Sequence, residues 1–544
     1  MLIRLKGAQI YDPVNELNGA PGDVWVRDGY ICAAPENPAE ADRTIDLEGR
    51  ILMAGAIDIH SHIAGGNVNN ARLLLPEQHL AEQARRPRFP FSGAKWSGSD
   101  TGYRYAEMGF TTVVEPAVLP INAHQAHAEL ADIPIIDTAG LAIVGNDDFL
   151  LRMLRDGAEQ ARINDYIAWT LHATQCLGVK VINAGGATAF KFNERQLNLD
   201  DEVPMYGMTS RAILNAVQRA VVQLGIAHPV HVHCNNLGIP GNVNTALDTI
   251  KAADGLPMHL AHVQFYGYGD EGDSGFSSGA RALADAVMAN PNITVDIGQV
   301  LFGQTVTISG DIMRQFDARH IANPKKWVVW EGEDGGGGIV PFRYRAKNYV
   351  NALQWAIGLE LFLLIDDPWR VFFTTDHPNG APFTAYPELF KLLMDRQYRN
   401  QWLESINAKS ADISLLRHLE REYDLNEIAI MTRAAPAKLL GLKDRGHLSV
   451  GAIADIAVYR PQEDKAAMFG NAELVLKNGV PVVENGRVIQ VIQGKTHAVA
   501  PEFDRGIESA ISTYFDRYHL MKMDNYKLDP QHLLETVGSE LVFH

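Results

Sequence analysis

Short apolar runs separated by turn residues open the chain. "LIRLKGAQIYD", "DVWVRDGYICAA" and "TIDLEGRILMAG" alternate apolar and polar positions, the period-two pattern that predicts strands. The pattern returns near the other end in "ADIAVYR" and "AELVLKNGVPVVENGRVIQVIQGK". There "KNG" at Lys477 to Gly479 and "ENG" at Glu484 to Gly486 are hairpin-turn signals. Two strand-rich ends predict one small β-domain assembled from residues 1–52 and 441–502. Residues 503–544 are polar, aromatic and partly helical, and read as an appendage that docks against a partner protein.

Between them, over 53–440, β-like runs alternate with helical patterns. The runs are "AIDIH", "TTVVEPA", "IIDTAGLAIV", "GVKVINAGG", "PVHVHCNN", "PMHLAHV", "ITVDIG" and "RVFFTTDH"; "DDFLLRMLRDGAEQARINDYIAWTLHAT" is one of the helical stretches. Eight such runs predict an α/β fold, a (β/α)8 TIM-like barrel. A doubly wound open sheet would carry a glycine-rich phosphate turn after its first strand, and His-Ser-His stands there instead. "EDGGGG", Glu333 to Gly338, reads as a loop in an insertion before the last barrel strand.

Composition narrows the function classes. A net charge of −17 argues against broad nucleic-acid binding. No stretch approaches the roughly 18 uninterrupted apolar residues of a membrane span, and "MLIRLKGAQIYDP" has too short an apolar run for a secretory signal. Cys32, Cys176 and Cys234 form no CxxC pair, which points to a reducing, cytoplasmic setting.

Catalytic groups of a barrel come from the C-terminal ends of different strands. The first run ends in His60 and His62, and alternation puts both on one side, where both can face one metal. The fourth carries Lys180. The fifth ends in His233, with His231 as the alternative ligand two residues earlier. The sixth ends in His262 and the last in Asp376. Imidazole and carboxylate suit zinc, and a catalytic zinc keeps one position open for water. A lysine ammonium cannot ligate, but a neutral lysine that has captured CO2 becomes a carbamate, able to bridge two metals about 3.5–4 Å apart. Singly, each residue has an ordinary structural role: Lys180 as a snorkelling or salt-bridged lysine, Asp376 as a turn-former or helix cap, His233 as a satisfied core histidine with His231 the ligand in its place. Candidates at five strand ends together favour the metal reading.

This set of residues resembles that of the metal-dependent amidohydrolase superfamily. "TRAAPAKLLGLKDRGHLSVGAIADIAVYR" resembles its return into the β-domain, and "GFTTVVEPA", with Glu115, its second strand. The longer motifs "DIHSHIAGGNVNNARLLLPEQH", "VKVINAGG", "HVHCNNLGIPGN" and "FFTTDHPNGAPF" are similar to those of one family across nearly the whole chain. These are the A subunits of formylmethanofuran dehydrogenase and of the formyltransferase/hydrolase complex of methylotrophs.

The resemblance implies two divalent ions, zinc by donor type, held by His60, His62, Lys180, His233 and His262. It implies a carbamate on Lys180, with Asp376 as both ligand and proton shuttle. It implies as substrate an N-formyl amide on a methylofuran or methanofuran carrier, hydrolysed to formate in methylotrophs or formed from formate in methanogens. It also implies partner subunits in a multi-subunit complex. Any redox step must lie in a partner, since the chain has no cysteine cluster for an iron–sulfur centre; the moderate charge content favours the bacterial complex.

A formyl group offers little to recognise, so Asn183, Asn235, Asn236, His377 and Asn379, beside the ligand motifs, become candidate carrier contacts. The alternative for each asparagine is a tight turn. The carrier's acidic arm, implied by the same resemblance, could meet either of two basic clusters: Arg85, Arg86, Arg88 and Lys95, or Arg343, Arg345 and Lys347. Two other functions compete. A hydantoinase or dihydroorotase would share the metal set and open a cyclic amide. A non-catalytic scaffold would have lost ligands, whereas every expected position here is filled.

Overall fold

Each of the eight apolar runs forms a strand whose neighbours are the next runs in the sequence. They are β1 (Ala56–Asp58), β2 (Phe110–Val118), β3 (Asp137–Val144), β4 (Gly178–Ile182), β5 (Val230–His233), β6 (Met258–Leu260), β7 (Ile293–Asp296) and β8 (Val371–Phe372). Successive strands pair in parallel from β1 through β8. The ring closes just beyond β1 and β8, where Ser61 bridges His377 and His62 N donates to His377 O at 2.9 Å. The expected TIM-like barrel is therefore the observed one. These observations come from a computed structural model, which describes residues 1–66, 68, 69, 98–192, 194, 196–309 and 338–544.

Local chemistry sets the element ends. The long helical pattern after β3 divides into Asp148–Arg155 and Gln160–Thr174. Asp147 caps the first by accepting Leu150 N at 2.9 Å, and Gly157, at φ +73°, turns the chain between them. Between β7 and β8 the insertion contributes an antiparallel hairpin, Gly303–Ser309 with Gly338–Tyr344. The rest of the expected glycine loop, Glu333 to Gly337, and the basic cluster of Arg85, Arg86, Arg88 and Lys95 lie outside the described residues.

The two chain ends meet in one nine-stranded sheet. Ile51–Ala54 pairs in parallel with Leu2–Asp12 on one side and antiparallel with Ile456–Tyr459 on the other. Ile3, Leu5, Leu52, Ile456 and Val458 form part of its own apolar core. Both expected hairpin turns are present: Asn478 and Gly479 have φ of 51° and 75°, Asn485 and Gly486 of 51° and 72°. Positive φ at both central residues matches the right-handed strand twist.

Thr496–Ala498, inside the segment expected to finish this sheet, pairs instead with β3 of the barrel, and Leu541–Phe543 extends it. The helix Ile507–Tyr518 lies on Gln160–Thr174, with Phe515 edge-on to Trp169 and Tyr526 stacked on the same indole. The appendage thus covers a flank of the barrel. No helix among the described residues is long and apolar enough to cross a membrane.

Candidate metal centre

β1 carries His60 and His62 past its end, and the residues around it decide where their rings point. Asp58 Oδ1 accepts His60 N at 3.0 Å, while its Oδ2 accepts the hydroxyls of Tyr105 at 2.8 Å and Tyr386 at 2.5 Å. Burial pushes the Asp58 carboxyl up to about 6, against these three donors. Thr374, beyond β8, donates its hydroxyl to His60 O at 2.6 Å and accepts Asp376 N at 2.8 Å. One threonine therefore ties the first and last candidate ligands together.

Each histidine of the pair turns Nδ1 to a buried carboxylate. His60 Nδ1 lies 3.0 Å from Asp296 Oδ2, and His62 Nδ1 lies 2.9 Å from Glu115 Oε1. Glu115 also accepts Ile63 N at 2.6 Å and Ala64 N at 3.0 Å, fixing the turn that follows. With Nδ1–H given to a carboxylate, the lone pair of each neutral ring sits on Nε2. Both Nε2 atoms approach Asp376 Oδ1, at 3.1 Å for His60 and 3.4 Å for His62. That oxygen is buried and takes no hydrogen bond. Three electron-rich atoms facing one point is what a cation resolves. Burial would lower His62, but Glu115 and Asp376 raise it to about 9.

The remaining expected ligands lie around this point. Lys180 Nζ is 3.4 Å from His60 Nε2. Burial pulls its ammonium below the ordinary lysine value, against Asp376, Asp296 and Glu115. His233 Nδ1 is 3.0 Å from His262 Nε2, and the His262 ring centroid is 5.3 Å from that of His60. His231 takes a different place: level with Lys180 in the strand register, it lies under His60, with Nε2 3.0 Å from His60 Nδ1 and Nδ1 3.2 Å from His228 Nε2. Among the described residues two donor sets result, His60–His62–Asp376 and, beneath it, His60–His231–Asp296.

Asn183, Asn236, His262 and Asp376 all take positive φ (49°, 63°, 35° and 51°). Such backbone is uncommon outside glycine and clusters at functional sites. Asn235 donates its amide to Leu197 O at 3.1 Å and Ser210 Oγ at 2.8 Å, while Asn236 Oδ1 accepts Leu197 N at 3.2 Å. The two amides clasp one residue of the neighbouring loop. Asn379 donates to Asp376 Oδ2 at 2.9 Å and accepts Ile308 N at 2.5 Å, so it joins the Asp376 turn to the inserted hairpin. His377 Nδ1 accepts Phe383 N at 3.2 Å. Arg343, Arg345 and Lys347 are exposed on and just after the hairpin's second strand, and Tyr344 between them donates to Asn379 O at 3.2 Å.

Three contributors carry no metal-ligand pattern in the sequence. Asp296 is one more polar residue in "ITVDIG", and Asp58 one more in "AIDIH". Glu115, recognisable only through the resemblance of its strand, has no visible role until His62 is placed beside it.

Residues 43–490 match the amidohydrolase family. One relative is the A-type chain of the formyltransferase/hydrolase complex Fhc of Methylorubrum extorquens. The two are 48% identical over 544 residues, covering 99% of this chain and 98% of that one. The chain is 37% identical to protein FwdA of Methanocaldococcus jannaschii, over 97% of each chain. Its fold superposes with a TM-score of 0.94, at 49% identity and over all of both chains, on a chain of the crystal structure of FhcABCD from Methylorubrum extorquens in complex with methylofuran. By sequence and by fold, the chain belongs to the amidohydrolase family, in the group that holds FwdA and the A-type chain of Fhc.

Proposed function

We propose that this chain is the hydrolytic subunit of a cytoplasmic formyltransferase/hydrolase complex, releasing formate from the N-formyl amide of a methylofuran-type carrier. The observation that carries the reading is the end-to-end match, at 49% identity and a TM-score of 0.94, to a chain of a complex that binds methylofuran. The convergence of His60 Nε2, His62 Nε2 and Asp376 Oδ1 supports it from the chain's own chemistry.

The donor set fits divalent ions, zinc by ligand type, with His60, His62, Lys180, His233, His262 and Asp376 as the residues that would hold them. His233 is preferred to His231, because it faces His262 whereas His231 is engaged beneath His60. Such an ion supplies Lewis acidity toward a formyl oxygen and makes water acidic enough to ionise near neutral pH. Burial, which pulls the Lys180 amine below its ordinary value, supports its carboxylation, in which the neutral amine attacks CO2 and loses one proton to give a carbamate.

The chain's residues then divide the work. Asp376 takes the proton of the water that adds to the formyl carbon and returns it to the departing amine nitrogen as the C–N bond breaks. Asn379 holds the other oxygen of that carboxylate, keeping Oδ1 turned to the reaction. Asn183 and His377 are proposed to contact the furan end of the carrier. Asn235 and Asn236 shape its wall through Leu197.

The test offers N-formyl furfurylamine and hydantoins to the chain purified with its partner subunits. Formate release from the linear amide is expected. Activity on the cyclic amides alone would overturn the proposal in favour of a hydantoinase-like enzyme.

A further inference from the structure

We propose that Asp296, at the end of β7, is the positioning residue that aims two metal-holding histidines from different strands. The role rests on the metal-centre reading above but is assigned by geometry in a strand that supplies no expected ligand. Asp296 Oδ2 lies 3.0 Å from His60 Nδ1 and 3.0 Å from His259 Nε2, and Oδ1 accepts His262 N at 2.6 Å. One carboxylate thus fixes the ring of the β1 ligand and the backbone of the β6 ligand.

Both contacts hold something the residues would not hold alone. A neutral imidazole has a single N–H, and placing it on Nδ1 leaves the lone pair on Nε2, facing Asp376. His262 adopts φ 35°, unfavourable for a side chain with a Cβ. Asp296 secures the peptide N–H of that residue. Gly298 leaves the room it needs, since a Cβ there would come within 2.5 Å of His262 Cβ.

The support continues downward. His259 Nδ1 meets Thr294 Oγ1 at 2.9 Å, which sets its ring, and His231 fills the space under His60. Asp296, His231 and His259 have no exposed surface, so solvent does not substitute for any of them. The set His60–His231–Asp296 also has the donors of a metal site. Occupying both sets at once would require His60 to ligate through both nitrogens and lose both ring protons. A carboxylate partner for Nδ1–H is the common arrangement behind a histidine ligand.

The experiment measures metal retained per full-length chain after dialysis against graded chelator, together with the visible spectrum of the cobalt(II)-substituted protein. Asp296→Asn keeps shape but offers an amide where two ring donors need an acceptor. About 10- to 100-fold weaker metal retention and altered cobalt bands are expected, with Glu360→Gln, a buried carboxylate bonded to Ser278 and Ser414, retaining metal like the wild type. Wild-type retention and spectrum in Asp296→Asn would overturn the proposal. A wild-type chain that binds no metal would overturn the metal-centre reading instead. Should Asp296→Asn not fold, His259→Phe decides: several-fold weaker retention supports the role, and unchanged retention overturns it.

Discussion

Lys477 Nζ lies 2.8 Å from Asp137 Oδ2 and 2.6 Å from Asp455 Oδ2, with each of the three side chains at most 2% exposed. Lys477 belongs to the small sheet and Asp137 opens β3, so this contact joins the two units that the chain ends and its middle build. Arg445 also pairs with Asp137, and Asp444 holds the Arg445 Nε at 3.0 Å. Burial opposes ionisation of Asp137, but Lys477 and Arg445 hold its carboxyl well below the usual range. Lys477→Met removes the shared cation and leaves Asp455 buried without it. Breaking a buried ion pair in this way costs about 3–5 kcal/mol. The expected result is a lower urea midpoint with unchanged metal retention, because the network lies apart from the ligands. An unchanged midpoint would show that the pair contributes nothing net.

Asp376 gives a kinetic prediction. Asp376→Asn preserves size and leaves position 379 able to hydrogen-bond, but removes the proposed proton acceptor. Turnover is expected to fall by about 10²- to 10⁴-fold, the usual contribution of a positioned acid–base group. Carrier affinity, measured by titration calorimetry, should change only a few-fold. Rapid formate release by the variant would move the proton transfer to another residue.

Stability against acid follows from a buried histidine outside the candidate metal centre. His127 is fully buried, with Nε2 2.8 Å from Thr174 O. Burial lowers it to about 4, although the Thr174 carbonyl favours the charged form. Its folded value lies below its unfolded value near 6.5. Between about pH 6.5 and 4 the unfolded chain therefore binds a proton that the folded chain does not, and stability falls as pH falls, by up to about 1.4 kcal/mol per pH unit for this one group. His127→Gln should retain a donor to Thr174 and flatten the dependence of the melting temperature on pH across that window. An unaltered slope would mean that His127 titrates freely in the folded protein.

How much of this was legible beforehand differs by kind of interaction. Local periodicity marked the eight strands, and alternation alone placed His60 and His62 on one face. The Asn-Gly pairs marked their turns because few other residues accept positive φ twice in succession. Groups whose role exists only in three dimensions were not legible. Asp296 acts on residues 236 and 37 positions away, and Lys477 meets Asp137 across 340. Thr496–Ala498 lies inside the range read as the end of the small sheet, but nothing in its sequence says which sheet it joins; the free side of β3 at Thr138 and Ala139 does.

The inserted hairpin supplies the last prediction. Its exposed Arg343 and Arg345 flank Tyr344, whose hydroxyl holds Asn379 O, and Asn379 in turn holds Asp376. A basic strip is therefore one side chain removed from the turn that carries Asp376. An acidic carrier arm leaving the site along this hairpin would pass it, whereas the formyl end would not. The double variant Arg343→Glu, Arg345→Glu should raise KM for a carrier with a long acidic arm by roughly 10-fold or more, since each charge reversal replaces attraction by repulsion worth on the order of 1 kcal/mol at an exposed site. It should leave kcat, and KM for a truncated carrier, within about two-fold. The long-arm effect should shrink as salt rises, because exposed charges are screened over about 8–10 Å at moderate ionic strength. Equal losses for long and short arms would assign the strip to contacts with partner proteins or to the hairpin's own packing.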